Sequence, residues 1–85
     1  MKIFEYVIKD ELGIHARPAG LLVKCAKATG SIVKITKNDK TVEATKLIPL
    51  MSMGVGCGDT VSVSIESGDE ETAFKAVKEF FEKNL

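Results

Sequence analysis

The chain has 85 residues, with twelve Lys or Arg against twelve Asp or Glu. That length predicts one domain over residues 1–85, since two independent cores would not fit, and zero net charge argues against a general nucleic-acid binder. A 45% hydrophobic and 28% charged composition predicts a globular fold. The longest uncharged stretch, Leu47 to Gly58, contains Pro49 and three glycines, so no membrane insertion is expected. The start MKIFEYVIKDE has no apolar signal region, and Cys25 and Cys57 lie far apart in no metal-ligand spacing. Together these predict a cytoplasmic protein with reduced thiols; the compact length and balanced charge predict a monomer. The balance hides an asymmetry. Residues 1–46 hold nine basic against five acidic groups, and residues 47–85 hold three against seven, which allows a basic face to meet an acidic partner.

Ile3 to Ile8, rich in β-branched and aromatic residues, predicts a strand, followed by a polar loop over Asp10–Ile14. From Ala16 to about Ala28 the pattern is helical. Ala19, Leu22, Val23 and Ala26 form one apolar stripe, and Gly30 supplies the stop. Ser31–Lys37 and Lys40–Ala44 predict two strands joined by a turn at Asn38-Asp39. Thr45–Met53 predicts a short helix, with Pro49 tolerable only in its first turn. Gly54, Gly56 and Gly58 mark turns, and GVGCG lacks the following Lys-Ser/Thr and helix of a phosphate loop. Thr60–Ile65 alternates as a half-buried strand. Ser67-Gly68-Asp69 then caps a last helix, with Glu70 and Glu71 at its positive start and Lys83 near its negative end. Ala73, Phe74, Val77, Phe80 and Phe81 are its expected core residues. The order β-α-β-β-α-β-α predicts an α+β domain with helices on one face of an antiparallel sheet. That order also suits ligand-binding and metal-carrying modules, so it does not decide function.

The chemistry concentrates around the single histidine, in Gly13-Ile14-His15-Ala16-Arg17-Pro18-Ala19-Gly20. With His15 as N-cap, Ala16, Arg17 and Pro18 take the first three helical positions. Pro18 has no N–H where helices leave theirs unpaired. The amides of Ala16 and Arg17 stay free, an anion site to which Arg17 adds a permanently charged donor. The positive helix end and Arg17 favour a neutral imidazole, which is a nucleophile. Phosphoryl transfer needs little more than in-line positioning and donors for the phosphoryl oxygens. No second His exists, so no metal site is expected, and nothing calls for a cofactor. Arg17, Gly20, Lys24 and Lys27 share one exposed helical stripe. Mid-helix Gly20 costs close to 1 kcal/mol relative to Ala and permits close approach by a partner. Leu47, Ile48, Leu50 and Met51 are too many apolar residues for one face of a short helix, so some should be exposed in a docking patch.

These residues resemble the histidine-containing phosphocarrier (HPr) family of the bacterial phosphoenolpyruvate-dependent sugar phosphotransferase system. GIHARPAG, Gly13 to Gly20, matches the family's active-site signature; LIPLMSMG and DEETAFKAV are similar to its second- and last-helix segments. The resemblance implies an open-faced β-sandwich, a four-stranded antiparallel sheet covered on one side by three helices. It implies that His15 accepts a phosphoryl group on Nδ1 from phosphorylated enzyme I and passes it to a sugar-specific enzyme IIA. Arg17 would contact the phosphoryl group, and docking would use Lys24, Lys27, Leu47, Ile48 and Met51. Such a protein is a substrate of phosphotransferases, not an enzyme. Many family members from low-GC Gram-positive bacteria open the second helix with a Ser phosphorylated by a kinase. Here that position is Lys46, so no regulatory serine is expected, and Pro49 stands where Gly is frequent. An HPr-like regulator signalling through His15 phosphorylation, without a direct role in sugar uptake, is the alternative; a metabolite-binding domain is a third reading.

Overall fold

The computed structural model describes Met1–Leu85. The elements follow the expected order: β1 (Lys2–Val7), α1 (Ala16–Thr29), β2 (Ile32–Lys37), β3 (Lys40–Glu43), α2 (Leu47–Ser52), β4 (Thr60–Glu66) and α3 (Glu70–Asn84). The four strands form one antiparallel sheet in the order β1-β4-β2-β3, so the penultimate element pairs with both the first strand and the second. This is the open-faced sandwich.

Strand alternation decides which face the helices cover. Phe4, Val33, Ile35, Val61, Val63 and Ile65 are buried, whereas Ile3, Glu5, Val7 and Lys34 between them are exposed. Period-two side-chain direction allows no other outcome once one face is covered. The helices supply Ala19, Leu22 and Ala26 from α1, Leu50 from α2, and Ala73, Val77 and Phe81 from α3. Phe81 is fully buried and packs edge-to-face on Phe4 and Tyr6, with ring centroids 5.6 and 5.5 Å apart. Burial of that ring contributes about 2–3 kcal/mol.

Three residues assigned to the core lie at its margin. Val23, Phe74 and Phe80 are half-buried and pack against the core from outside. On α3 the sheet-facing line is Ala73, Val77 and Phe81, at i, i+4 and i+8. Residues 74 and 80 stand about 100° to either side of their neighbours on that line, so one edge of each ring meets solvent. Pro18, by contrast, is buried. Element ends shift by one or two residues. Ile8 and Ala44 fall outside their strands yet remain buried, and α2 is shorter than Thr45–Met53, with Lys46 as its N-cap.

The helix ends behave as their residues require. Gly30 caps α1 in the left-handed region at φ 71°, and Asp69 caps α3 by accepting the Thr72 amide. Asp59 plays a comparable part in the 54–59 loop. Its Oδ2 accepts from the Gly56 amide at 2.8 Å and pairs with Lys37 Nζ at 2.8 Å. Lys37 also donates to the Gly54 carbonyl at 2.8 Å, so the end of β2 is pinned to that loop. The Lys37 ammonium, followed by the Gly56 amide, holds the Asp59 carboxyl below its ordinary value; the Thr72 hydroxyl and amide do the same for Asp69. A depressed folded-state value stabilises the fold fully above the ordinary carboxylate range, near pH ~4, and that stability is lost as pH falls through the folded-state value. Urea unfolding from pH 6 to pH 2.5 should therefore show stability declining only in the acid part of the range, and Asp59→Asn should flatten part of that decline. An unchanged acid slope in the variant would remove Asp59 from the account.

Candidate functional site

The loop that carries the histidine is fixed by a glycine. Gly13 lies at φ 67°, and a Cβ there would collide with the Val55 carbonyl oxygen and approach the Gly56 Cα to 2.6 Å. With no side chain in the way, the Ile14 amide donates to the Val55 carbonyl at 3.1 Å. Ile14 is buried, and the next residue begins the helix.

His15 is the N-cap of α1, with extended backbone (φ −106°, ψ −175°), and its carbonyl accepts from the Ala19 amide at 2.9 Å. Its side chain makes no capping hydrogen bond, unlike the Ser, Thr or Asp usual at such a position. The imidazole is thus not engaged in holding the helix. Within α1's first turn the amides of Ala16 and Arg17 have no acceptor in the chain, and Pro18 has no N–H to satisfy. No acidic residue occupies that turn. Arg17 is exposed and forms no ion pair. Two amides and one guanidinium therefore converge beside the imidazole with none of their donors committed, an arrangement complementary to a dianionic phosphoryl group.

An open depression of about 280 Å³ lies here, lined by His15, Arg17, Pro18 and Leu21 from α1, by Asp10, and by Lys83 and Asn84 from the end of α3. Four of these, Asp10, Leu21, Lys83 and Asn84, are not legible as site residues in the sequence. Leu21 is 43% exposed because it falls outside the apolar stripe of α1. Lys83, which the sequence places only at the negative end of α3, pairs with Glu79 at 3.0 Å and borders the depression. Asp10 Oδ2 stands 3.4 Å from His15 Nε2, a contact across a loop that no periodicity could reveal. Leu85 sets Asp10 in place, its backbone oxygen accepting from the amides of Lys9 and Asp10.

The expected stripe on α1 stands free: Arg17, Lys24 and Lys27 are exposed, and nothing lies within 4 Å of where a Gly20 Cβ would be. On α2, Leu50 is fully buried whereas Leu47, Ile48 and Met51 are 40%, 70% and 39% exposed. Pro49 takes the third helical position, inside the first turn. α1 and α2 pack against each other. Lys46, the N-cap of α2, is exposed with no side-chain capping bond. GVGCG is a turn-forming loop, and it serves the site through Val55. Cys25 and Cys57 are free thiols, and burial raises the Cys25 thiol.

The family model described as the PTS HPr component phosphorylation site matches residues 3–83. The chain belongs to the HPr family. It is 40% identical to the phosphocarrier protein HPr of Mycoplasma genitalium, covering 99% of this chain and 97% of that one. Among solved structures, HPr-C-His from Thermoanaerobacter tengcongensis superposes with a TM-score of 0.92 at 40% identity, over 98% of this chain and 93% of that chain. The HPr of Bacillus anthracis superposes with a TM-score of 0.86 at 29% identity, over 94% and 95% of the two chains. Membership in HPr supports a phosphocarrier role in the sugar phosphotransferase system for this chain.

The Gly13 contact yields a direct check. Gly13→Ala should lower stability by roughly 2–3 kcal/mol, from left-handed backbone strain plus displacement of the Val55 loop. A denaturation midpoint equal to that of the parent would show that the loop relaxes without loss.

Proposed function

We propose that this HPr relays phosphoryl groups as a protein substrate: His15 accepts from phosphorylated enzyme I and donates to a sugar-specific enzyme IIA. The observation that carries the reading is the uncommitted donor set at the start of α1, where the Ala16 and Arg17 amides and the Arg17 guanidinium adjoin an imidazole with no capping duty. The ring's Nδ1 forms no hydrogen bond in the chain, whereas Nε2 faces Asp10. Nδ1 is accordingly the nucleophile. Its lone pair forms the bond to phosphorus as the donor's bond to phosphorus breaks with its electron pair. The two amides and Arg17 receive the phosphoryl oxygens, which carry charge through the loose transition state.

The site is open, and openness suits a carrier. A group that must pass to a second protein has to be reached by that protein, so water exclusion and the remaining catalytic groups come from the partner. This agrees with a protein that has no turnover of its own. The docking surface would be the Arg17, Gly20, Lys24 and Lys27 stripe with Leu47, Ile48 and Met51, a basic rim around an apolar centre that fits an acidic, partly apolar partner. Both transfers would take place in the cytoplasm. Lys46 removes the hydroxyl through which a kinase would regulate docking at α2. The regulatory alternative is tested by complementation of sugar uptake in a strain lacking HPr.

Incubation with enzyme I, Mg²⁺ and phosphoenolpyruvate should add one phosphoryl group to the intact mass, stable in alkali and lost in acid. His15→Ala should abolish the gain without unfolding the domain, and Arg17→Ala should slow transfer by roughly 10- to 100-fold. Phosphate acceptance by His15→Ala would sink the assignment.

Gly20 tests the docking surface separately. Its Cβ position is open space and its backbone is helical, so nothing inside the molecule requires glycine there. Gly20→Ala should raise stability by up to about 1 kcal/mol while increasing KM for enzyme I. A stabilised variant with an unchanged KM would place docking elsewhere.

A further inference from the structure

Asp10 combines two observations that the fold alone does not require. Its Oδ2 is shut off from solvent and has no hydrogen-bond partner, although about a third of the side chain is exposed. The same atom stands 3.4 Å from His15 Nε2, at ion-pair distance but without a hydrogen bond closing the gap. A buried, unpaired carboxylate oxygen is unfavourable unless a donor reaches it, and the only ring N–H at that distance belongs to His15. The backbone leaves Asp10 little freedom to turn away: its amide donates to the Leu85 oxygen at 2.8 Å, and its carbonyl accepts from the Gly13 amide at 3.0 Å.

We propose that Asp10 is a positioning residue for phosphoryl transfer. Its Oδ2 accepts the Nε2 proton of His15 and so presents Nδ1, with its lone pair, to the incoming phosphorus. This inference rests on the phosphocarrier reading. A neutral imidazole carries its proton on one nitrogen only, and the acceptor bonded to that nitrogen decides which. A carboxylate on Nε2 selects the tautomer with Nδ1 unprotonated and also sets the plane of the ring. During transfer no proton need move. The Nδ1 lone pair becomes the N–P bond, the donor keeps the electrons of the bond that breaks, and Nε2 retains its hydrogen. The positive charge that the ring gains is matched by the Asp10 carboxylate on one side. Arg17 and Lys83 are the cations bordering the same depression, and Lys83 is paired with Glu79. When the phosphoryl group leaves, the same hydrogen bond returns the ring to its starting tautomer.

The test joins imidazole ¹⁵N spectroscopy of the unphosphorylated protein with transfer kinetics from phosphorylated enzyme I. In the parent protein with neutral His15, the Nε2–H form should be nearly the sole tautomer. Asp10→Ala should raise the Nδ1–H fraction severalfold and lower kcat for phosphate acceptance by roughly tenfold, with KM for enzyme I unchanged because Asp10 lies off the docking stripe. A parent spectrum showing the mixed tautomers of a free imidazole would overturn the proposal, and this result needs no variant to fold. Identical spectra for a folded Asp10→Ala and its parent would overturn it as well. Should the parent accept no phosphate from an active cognate enzyme I, the carrier reading fails. The tautomer measurement would still report on the Asp10–His15 contact, so the two failures are distinguishable.

Discussion

Gly13 and Val55 touch backbone to backbone, and the position of His15 follows from that contact. The Ile14 amide reaches the Val55 carbonyl only because residue 13 has no Cβ, and Ile14 then buries its side chain and leads directly into the N-cap. The loop that presents Val55 is held in turn by Asp59, which takes the Gly56 amide, and by Lys37, which bridges Asp59 and the Gly54 carbonyl. The Ile8 amide donates to the Asp59 carbonyl and the Gly58 amide to that of Ile8, so the same loop is stitched to the end of β1. A side chain on a loop is thereby fixed by main-chain bonds to two other segments. A site intended to orient one nucleophile needs that rigidity more than it needs additional catalytic groups.

The helix start divides the remaining work. An N-cap residue ordinarily spends its side chain on the orphan amides, but here it does not, and Pro18 removes one of the orphans altogether. Two amides and an imidazole are left uncommitted. Helix initiation without a side-chain cap is unfavourable by about 1 kcal/mol, and burial of Pro18, Ala19 and Leu22 beneath the turn offsets it. Stability that a structural N-cap would have supplied is relinquished where the proposed phosphoryl acceptor would need free donors. Gly20, two residues beyond Pro18, is likewise not required by the fold, since Ala would favour the helix and would meet nothing.

Much of this was legible in the sequence because it is local. The alternation of Val61, Val63 and Ile65, the caps at Gly30 and Asp69, and Pro49 in the first turn of α2 each depend on neighbours within a few residues. So does the GIHARPAG geometry, whose free amides follow from the position of a proline. The misplaced features depend on distance. Phe74 and Phe80 belong to the apolar arc of α3, but only the packed sheet determines how wide an arc is covered. Leu21 and Lys83 border the site because α1 and α3 meet, and Asp10 meets His15 because a loop folds back over a helix start. The glycine loop at 54–58 is legible as a turn, yet its service to Gly13 is a tertiary contact with no sequence period behind it.

In the proposed relay one small surface would meet two successive partners, and the distribution of apolar and charged groups suits that demand. α2 is too short to bury more than one of its four large apolar residues, and Leu50 is that one. Leu47, Ile48 and Met51 remain outside, and on α1, the helix α2 packs against, the basic stripe extends roughly 15 Å from Arg17 to Lys27. In that reading an apolar centre of three side chains would supply affinity without the large area of a permanent interface, and the lysines would steer an acidic partner and speed the encounter. A carrier that bound either partner too tightly would stop the relay. The modest patch and the open, preorganised donor set would therefore act in one direction: docking would be brief, and selectivity would come from fitting the phosphoryl group between His15 and the first turn of α1.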